Sequence, residues 1–136
     1  MAHLSENSKD HLHTCDADII LVINQAIGRM KTIDFAVTCG TRGETEQNEA
    51  FRTGKSKVKY PDSKHNYSPS KAVDIVAYVS GKPSWNHKHM TYLAGYIMAV
   101  AEEYDIKLRC GCNWDQDDEV LTDQTFQDLG HFELVE

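Results

Sequence analysis

Apolar residues recur at helical spacing in two long segments of the chain, which predicts two amphipathic helices. The first helix is predicted over residues 18–30, and Thr14 or Asp16 can cap its start. The second is predicted over residues 89–104. A shorter helix is predicted over residues 44–51, with acidic residues in its first turn, where the helix dipole favours them.

Four other segments are rich in β-branched and aromatic residues, which is typical of strands. They cover residues 33–39, 71–79, 106–110 and 131–135. Turns are predicted at residues 40–43 and 81–83, and a long polar loop at residues 53–70. This order of elements predicts an α+β fold in which helices pack on one antiparallel sheet, but it does not give the order of the strands.

The length of 136 residues corresponds to one domain. Residues 1–14 are polar and rich in histidine, so we expect a flexible leader followed by a single domain over residues 15–136. We find no run of roughly 18 apolar residues, the length that a membrane helix needs. The start of the chain also lacks the pattern of a secretory signal, and we expect synthesis in the cytoplasm.

The net charge of −7 argues against nucleic acid as a partner, because nucleic-acid binders usually carry a basic stripe. Five basic residues between positions 52 and 64 are better interpreted as part of a solvated loop. We expect no stable membrane association and a monomeric protein.

Four cysteines are present, Cys15, Cys39, Cys110 and Cys112. A disulfide framework is one interpretation of this number, and a soft metal site at the Cys110-Gly-Cys112 pair is another. The sequence favours a third interpretation, free thiols, because the chain is larger than most disulfide-stapled domains.

Histidine and aspartate residues at loop ends and strand edges are the candidates for chemistry. Asp74 interrupts an apolar strand, and a buried carboxylate must be paired, hydrogen-bonded or bound to a metal. With His65 and His131 it would complete a three-ligand zinc shell, which leaves a fourth position for water. Asp128 has the chemistry of a general base, and Arg42 could stabilise an oxyanion.

Each of these residues also has an ordinary structural interpretation. His65 could be an exposed loop histidine, and Asp74 could pair with a lysine such as Lys71. Asp128 could be a turn residue, and His131 a half-buried strand residue. The spacing alone does not decide between these interpretations.

Three ordered motifs carry a resemblance to a known family. Ser63-x-His65 is followed by Ala72-x-Asp74 and later by Asp128-x-x-His131, and Gly40-Thr41-Arg42 stands upstream. This pattern resembles the zinc D,D-carboxypeptidase and L-alanyl-D-glutamate endopeptidase family (VanY-like), which includes bacteriophage endolysins of about this length.

The resemblance implies a role for each matching residue. His65, Asp74 and His131 would bind one zinc ion, and Asp128 would be the general base. Arg42 would bind a substrate carbonyl or carboxylate and steady the oxyanion. Ser63 would contact the substrate or support His65. The family fold, a small α+β domain with zinc on an antiparallel sheet, agrees with the predicted elements.

The loop between the first two ligands departs from the family pattern. Asp74 follows His65 by nine residues (74 − 65 = 9), two more than usual, and the spacer glycine of the family is absent. Loops absorb such insertions without moving their anchors, so the departure affects the expected peptide specificity more than the ligands.

The function predicted from these motifs is a zinc metallopeptidase that cuts peptidoglycan stem peptides, as a phage endolysin acting on the cell wall after the inner membrane is breached. A D-alanyl-D-alanine carboxypeptidase and a non-catalytic zinc-containing wall-binding module are the alternatives. Acidic residues between Asp115 and Glu119 could bind calcium, but they lack the spacing of an EF-hand loop.

Overall fold

The computed structural model describes residues 4–111 and 128–135. The helices are α1 (Glu6–His13), α2 (Ala17–Arg29), α3 (Glu44–Arg52) and α4 (His87–Glu103), and a short 3-10 helix covers Lys64–Asn66. The strands are β1 (Asp34–Cys39), β2 (Ala72–Val79), β3 (Lys82–Ser84), β4 (Leu108–Gly111) and β5 (Asp128–Leu134).

The strands form one antiparallel sheet in the order β1-β2-β5-β4, and β3 pairs with β2 as a short hairpin partner. The predicted α+β fold with an antiparallel sheet is therefore confirmed. The last strand of the sequence lies between β2 and β4 in the sheet, a position that the sequence pattern alone does not give.

The two faces of the sheet differ in chemistry, because successive side chains on a strand point to opposite sides. On one face Val73, Ile75 and Phe132 are buried in a hydrophobic core. Helix α4 contacts β2, β4 and β5 there, and it also packs against α2. The alternate positions, among them Asp74 and His131, therefore lie on the opposite face, which is available for the functional site.

The predicted helices and strands are observed, with ends that coincide or differ by up to three residues. Asp16 is the N-cap of α2, where its side chain accepts a hydrogen bond from the Asp18 amide at 2.9 Å. The apolar stripe predicted for this helix is buried at Ile19, Val22 and Ile23.

The expectation of a flexible leader is wrong for residues 4–14. Leu4 and Leu12 belong to the core, and α1 packs against β1. The Ser8 hydroxyl accepts a hydrogen bond from the Val37 amide at 3.0 Å. The polar composition of this segment concealed its two apolar anchors, which lie eight residues apart and give no repeated helical pattern.

The sequence predicts a turn at residues 81–83. The structure shows a β-hairpin there, and its two-residue loop begins one residue earlier, at Ser80. Ser80 and Gly81 both have positive φ, at 54° and 75°, as expected of a two-residue hairpin loop between right-twisted strands. Val79 and Lys82 then pair across the hairpin, so residues predicted as turn begin β3 instead.

Gly130 marks a close approach between β5 and β2. A Cβ atom at this position would collide with the Ile75 carbonyl oxygen and lie 3.1 Å from the Met90 Cε atom. The absence of a side chain at Gly130 therefore lets β5 enter the sheet at the register that pairs His131 with Asp74.

Within the described residues, none of the helices has the length and apolar character needed to cross a membrane.

Candidate metal centre

Two of the predicted metal ligands are brought together by strand register. Asp74 on β2 and His131 on β5 are directly opposed in an antiparallel pair, so their side chains lie on the same face. The Asp74 Oδ1 atom is 3.0 Å from the His131 Nδ1 atom. His131 is 7% exposed, and the Asp74 side chain is 20% exposed.

The third predicted ligand comes from the 3-10 helix at Lys64–Asn66. The Ser63 hydroxyl caps this helix by accepting from the His65 amide at 3.1 Å, and the Ser63 amide donates to the Asn66 side chain at 2.9 Å. This cap holds the His65 ring so that its Nε2 atom is 3.2 Å from the Asp74 Oδ1 atom. Ser63 therefore supports His65 and also lines the adjoining cleft.

The two distances from Asp74 to the histidine nitrogens are compatible with a zinc shell. Tetrahedral zinc with ligand bonds of about 2.0–2.2 Å places neighbouring ligand atoms about 3.3–3.5 Å apart. The two nitrogen-to-oxygen distances of 3.0 and 3.2 Å are close to this separation. The donor set, two imidazole nitrogens and one carboxylate oxygen, is also one that zinc prefers.

The ring nitrogens that face away from Asp74 are also engaged. The His65 Nδ1 atom is 2.7 Å from the Gly40 carbonyl oxygen, and the His131 Nε2 atom is 2.8 Å from Glu133 Oε1. Glu133 Oε2 in turn accepts from Arg109 at 2.6 Å across the β4–β5 pair. Such partners fix the orientation and tautomer of metal-binding histidines, so both rings are held as ligands would be.

The two imidazoles and the Asp74 carboxylate shift one another's pKa values. Burial of each ring lowers its pKa, but hydrogen bonds to Asp74 outweigh this effect. The pKa of His65 is raised to about 10 and that of His131 to about 9. Burial raises the pKa of Asp74, yet the two imidazoles hold it well below its usual range. Protons and a metal therefore compete for the same nitrogen atoms.

Arg42 lies beside the same carboxylate. Its guanidinium contacts the outer oxygen of Asp74, Oδ2, at 3.3 Å and donates to the Gln47 side chain at 3.0 Å. Its backbone amide donates to the His65 carbonyl at 2.8 Å. The guanidinium lines the cleft next to the candidate ligands, where it can contact a carbonyl or carboxylate of a substrate.

Gly40 belongs to the same motif as Arg42 and lies against α1. A Cβ atom here would collide with Thr14 Oγ1 and with the His11 carbonyl oxygen. The carbonyl of Gly40 is the one that orients His65. Helix α1 therefore packs directly against the turn at Gly40 that orients His65, a contact that a flexible leader would not make.

Cys39 is a member of the cluster that the sequence did not single out. Cys39, His65 and Asp74 together form a group whose ligand atoms lie within 4.8 Å of one another. The Cys39 Sγ atom is 3.8 Å from His65 Nδ1 and 3.7 Å from an Arg42 nitrogen. A β-bulge after Val37 places Cys39 opposite Asp74, and a bulge is not visible as a sequence signal.

Of the predicted thiols, Cys15 and Cys39 are free in the described part of the chain, as expected. Cys112 and the proposed calcium loop, Asp115 to Glu119, lie outside the described residues. The backbone of Asp128 pairs with Gly111 at the start of β5. The Asp128 side chain lies outside what the structure describes, so its role as the base stays a prediction.

The candidate ligands open into a cleft of about 1050 Å³. Residues 54–58 form one part of its lining, which we call the cleft wall, and Trp85, 63% exposed, forms another. The described charged residues of the lining are the cations Arg42, Lys55, Lys57, Lys64 and Arg109 and the anions Asp62, Asp74 and Glu133. The described part of the lining thus carries more cations than anions, although the chain is acidic overall.

Fold and site together define a small α+β protein with a candidate metal centre on the open face of its sheet. The chain belongs to the phage L-alanyl-D-glutamate peptidase family, whose model matches residues 1–135. The matched residues include 1–14, the segment that we expected to be a flexible leader. The family resemblance and the peptidase activity predicted from the motifs are thereby confirmed.

A solved structure supports the same assignment. The L-Ala D-Glu endopeptidase ChiX of Serratia marcescens is 26% identical and superposes with a TM-score of 0.78. The match covers 98% of this chain and 91% of ChiX. No curated protein sequence matches the chain.

Proposed function

We propose that the chain is a zinc-dependent endopeptidase that hydrolyses the L-alanyl-D-glutamate bond of peptidoglycan stem peptides. The observation that carries the proposal is the convergence of His65, Asp74 and His131 on one side of the cleft. Family membership and the likeness to ChiX support the choice of bond.

The ligand set that we propose for zinc is the pair of histidines with Asp74. In this set both histidines have their second nitrogen held by a separate acceptor. The alternative group replaces His131 with Cys39, which lies nearest to the His65 nitrogen already engaged by Gly40. Zinc bound at this centre would supply a water of lowered pKa and polarise the peptide carbonyl.

The side chains of the cleft then have distinct tasks. Arg42 would bind a carbonyl or carboxylate of the stem peptide and stabilise negative charge that develops on the scissile carbonyl. Asp128 would take the proton from the attacking water and deliver it to the leaving amine. The excess of cations in the described lining favours an anionic substrate, and the D-glutamate residue of a stem peptide carries a free carboxylate.

We further propose that the enzyme acts as an endolysin, on the cell wall after the inner membrane is breached. Cutting inside the stem peptide releases cross-linked wall and lyses cells. Removal of a terminal D-alanine only trims the wall. The two activities therefore have different consequences for a suspension of permeabilised cells.

The peptide bond that the enzyme cuts is identified by digesting purified peptidoglycan with the zinc-loaded protein and analysing the fragments by mass spectrometry. We expect a new amino terminus on D-glutamate and a fall in turbidity of permeabilised cells. Release of free D-alanine without loss of turbidity would show the carboxypeptidase instead. Bound zinc without any fragment would show a wall-binding module.

A further inference from the structure

Gln47 is a polar side chain at the centre of the site's supporting structure. It lies on α3 and is 0% exposed, although glutamine is usually a surface residue. Burial of an amide is costly unless all its hydrogen-bonding groups are satisfied. The hydrogen-bond partners of Gln47 therefore identify the groups that its side chain positions.

The oxygen of the amide faces the catalytic machinery. Gln47 Oε1 accepts from the Arg42 guanidinium at 3.0 Å and from the Asn66 side chain at 3.2 Å. Asn66 follows His65 directly and also donates to the Arg42 carbonyl at 3.0 Å. One oxygen atom thus connects the proposed substrate-binding arginine to the helix that carries a metal ligand.

The nitrogen of the amide faces the cleft wall, residues 54–58. Gln47 Nε2 donates to the Val58 carbonyl at 2.8 Å and to the Ser56 hydroxyl at 2.9 Å. The orientation of the amide is determined by its partners, because a guanidinium only donates and a carbonyl only accepts. Neither a carboxylate nor an apolar side chain at this position could make both sets of bonds.

We propose that Gln47 is a positioning residue that couples the cleft wall to the Arg42 guanidinium, so that both are held in the geometry that binds the stem peptide. The guanidinium and the cleft wall lie on opposite sides of the Gln47 amide. The amide oxygen holds the guanidinium, and the amide nitrogen holds the wall. The guanidinium has a second anchor at Asp74, whereas Ser56 and Val58 also bond to each other. Gln47 connects these two groups.

This inference rests on the proposed function, because it assumes that Arg42 and the wall contact a peptide substrate. Its test uses Gln47→Glu, which keeps an acceptor for Arg42 but sets a carboxylate oxygen against the Val58 carbonyl. Gln25→Glu is the matched control, because Gln25 accepts from Arg29 at an exposed site. Ser56→Ala is a second variant that removes one of the two bonds from the amide nitrogen to the wall, together with the bonds between the Ser56 hydroxyl and Val58.

The first measurement is steady-state kinetics on a soluble stem peptide with zinc-loaded protein. Misplacing a substrate-binding group by about 1 Å can cost about 100-fold in rate. We expect Gln47→Glu to raise KM at least about tenfold with an unchanged zinc content. Ser56→Ala should move KM in the same direction by less, and Gln25→Glu should not change it. A lowered unfolding midpoint with an unchanged KM would reduce Gln47 to a structural residue and overturn the proposal.

The second measurement needs no activity. Amide hydrogen exchange of residues 54–58 is compared in wild type, Gln47→Glu and Arg42→Gln. We expect both variants to lose protection in the wall, because removing the guanidinium withdraws one anchor of the amide. Unchanged exchange after Arg42→Gln would show that the wall and the arginine are independent. If wild type cuts no peptide, the proposed function fails, while exchange still decides whether Gln47 couples the two.

Discussion

His131 and Asp74 face each other across adjacent antiparallel strands, with Nδ1 and Oδ1 separated by 3.0 Å. Glu133 lies two residues after His131 on the same face of β5, and there it pairs with Arg109 of β4. Two of the three candidate ligands thus belong to the sheet itself, and their relative geometry depends on strand pairing, while His65 is supplied by the 3-10 helix.

Removing a proposed ligand should abolish stoichiometric zinc binding. We expect His131→Ala to weaken zinc affinity by more than the roughly 10–100-fold typical of outer-shell changes. Cys39→Ser should keep about one zinc, since the sulfur is outside the proposed ligand set. Metal analysis of both purified variants distinguishes the two candidate groups. Loss of zinc in Cys39→Ser with retention in His131→Ala would favour the cysteine-containing group.

Glu133 should influence the metal through His131. Burial raises the pKa of Glu133, but hydrogen bonds to His131 and Arg109 lower it to about 2, so it is a carboxylate at neutral pH. Glu133→Ala removes the acceptor that orients the ring, and we expect zinc affinity to fall about 10–100-fold.

Competition with a chelator of known zinc affinity measures how much Glu133→Ala weakens zinc binding. Glu102→Ala is its control, because Glu102 is exposed on α4. Equal zinc affinities in the two variants would show that Glu133 does not orient the ligand.

A methyl group at Gly130 should destabilise the fold. Overpacking of this kind typically costs about 1–3 kcal/mol, and the backbone carbonyl of Ile75 cannot move without disturbing β2. Gly28→Ala is the control, because a Cβ there meets nothing within 4 Å and alanine favours an exposed helix position. Urea unfolding should therefore show a lowered midpoint for Gly130→Ala and an unchanged or raised one for Gly28→Ala.

Helix α1 should contribute to stability as a core element. Leu12 is 1% exposed, and Leu→Ala changes in cores cost about 2–5 kcal/mol. The neighbouring His13 is exposed, so His13→Ala should have little effect. Denaturant unfolding of both variants measures their free energies of unfolding, and we expect a lowered midpoint for Leu12→Ala alone. Indistinguishable midpoints would mean that α1 does not dock on β1 in solution.

The sequence was sufficient for the elements with repeated patterns and for the candidate ligands. Apolar spacing located α2 and α4, and the ordered motifs identified His65, Asp74 and His131, which the structure brings together. These features are local in sequence, or they come from a motif order that the family resemblance supplied.

The residues that the sequence missed depend on tertiary contacts. Gln47 has the appearance of a surface residue on a polar helix, and only its four partners show why it is buried. Cys39 reaches the cluster through a β-bulge. The bond of Glu133 to His131 and its pairing with Arg109 require the strand register.

The most direct test of the central claim pairs wild type with Asp128→Ala. Bound zinc is quantified in each protein, and the release of new amino groups from purified peptidoglycan is followed. The account predicts about one zinc per chain in both proteins, with amine release by wild type alone. Wild type without zinc, or Asp128→Ala releasing amines at the wild-type rate, would contradict it.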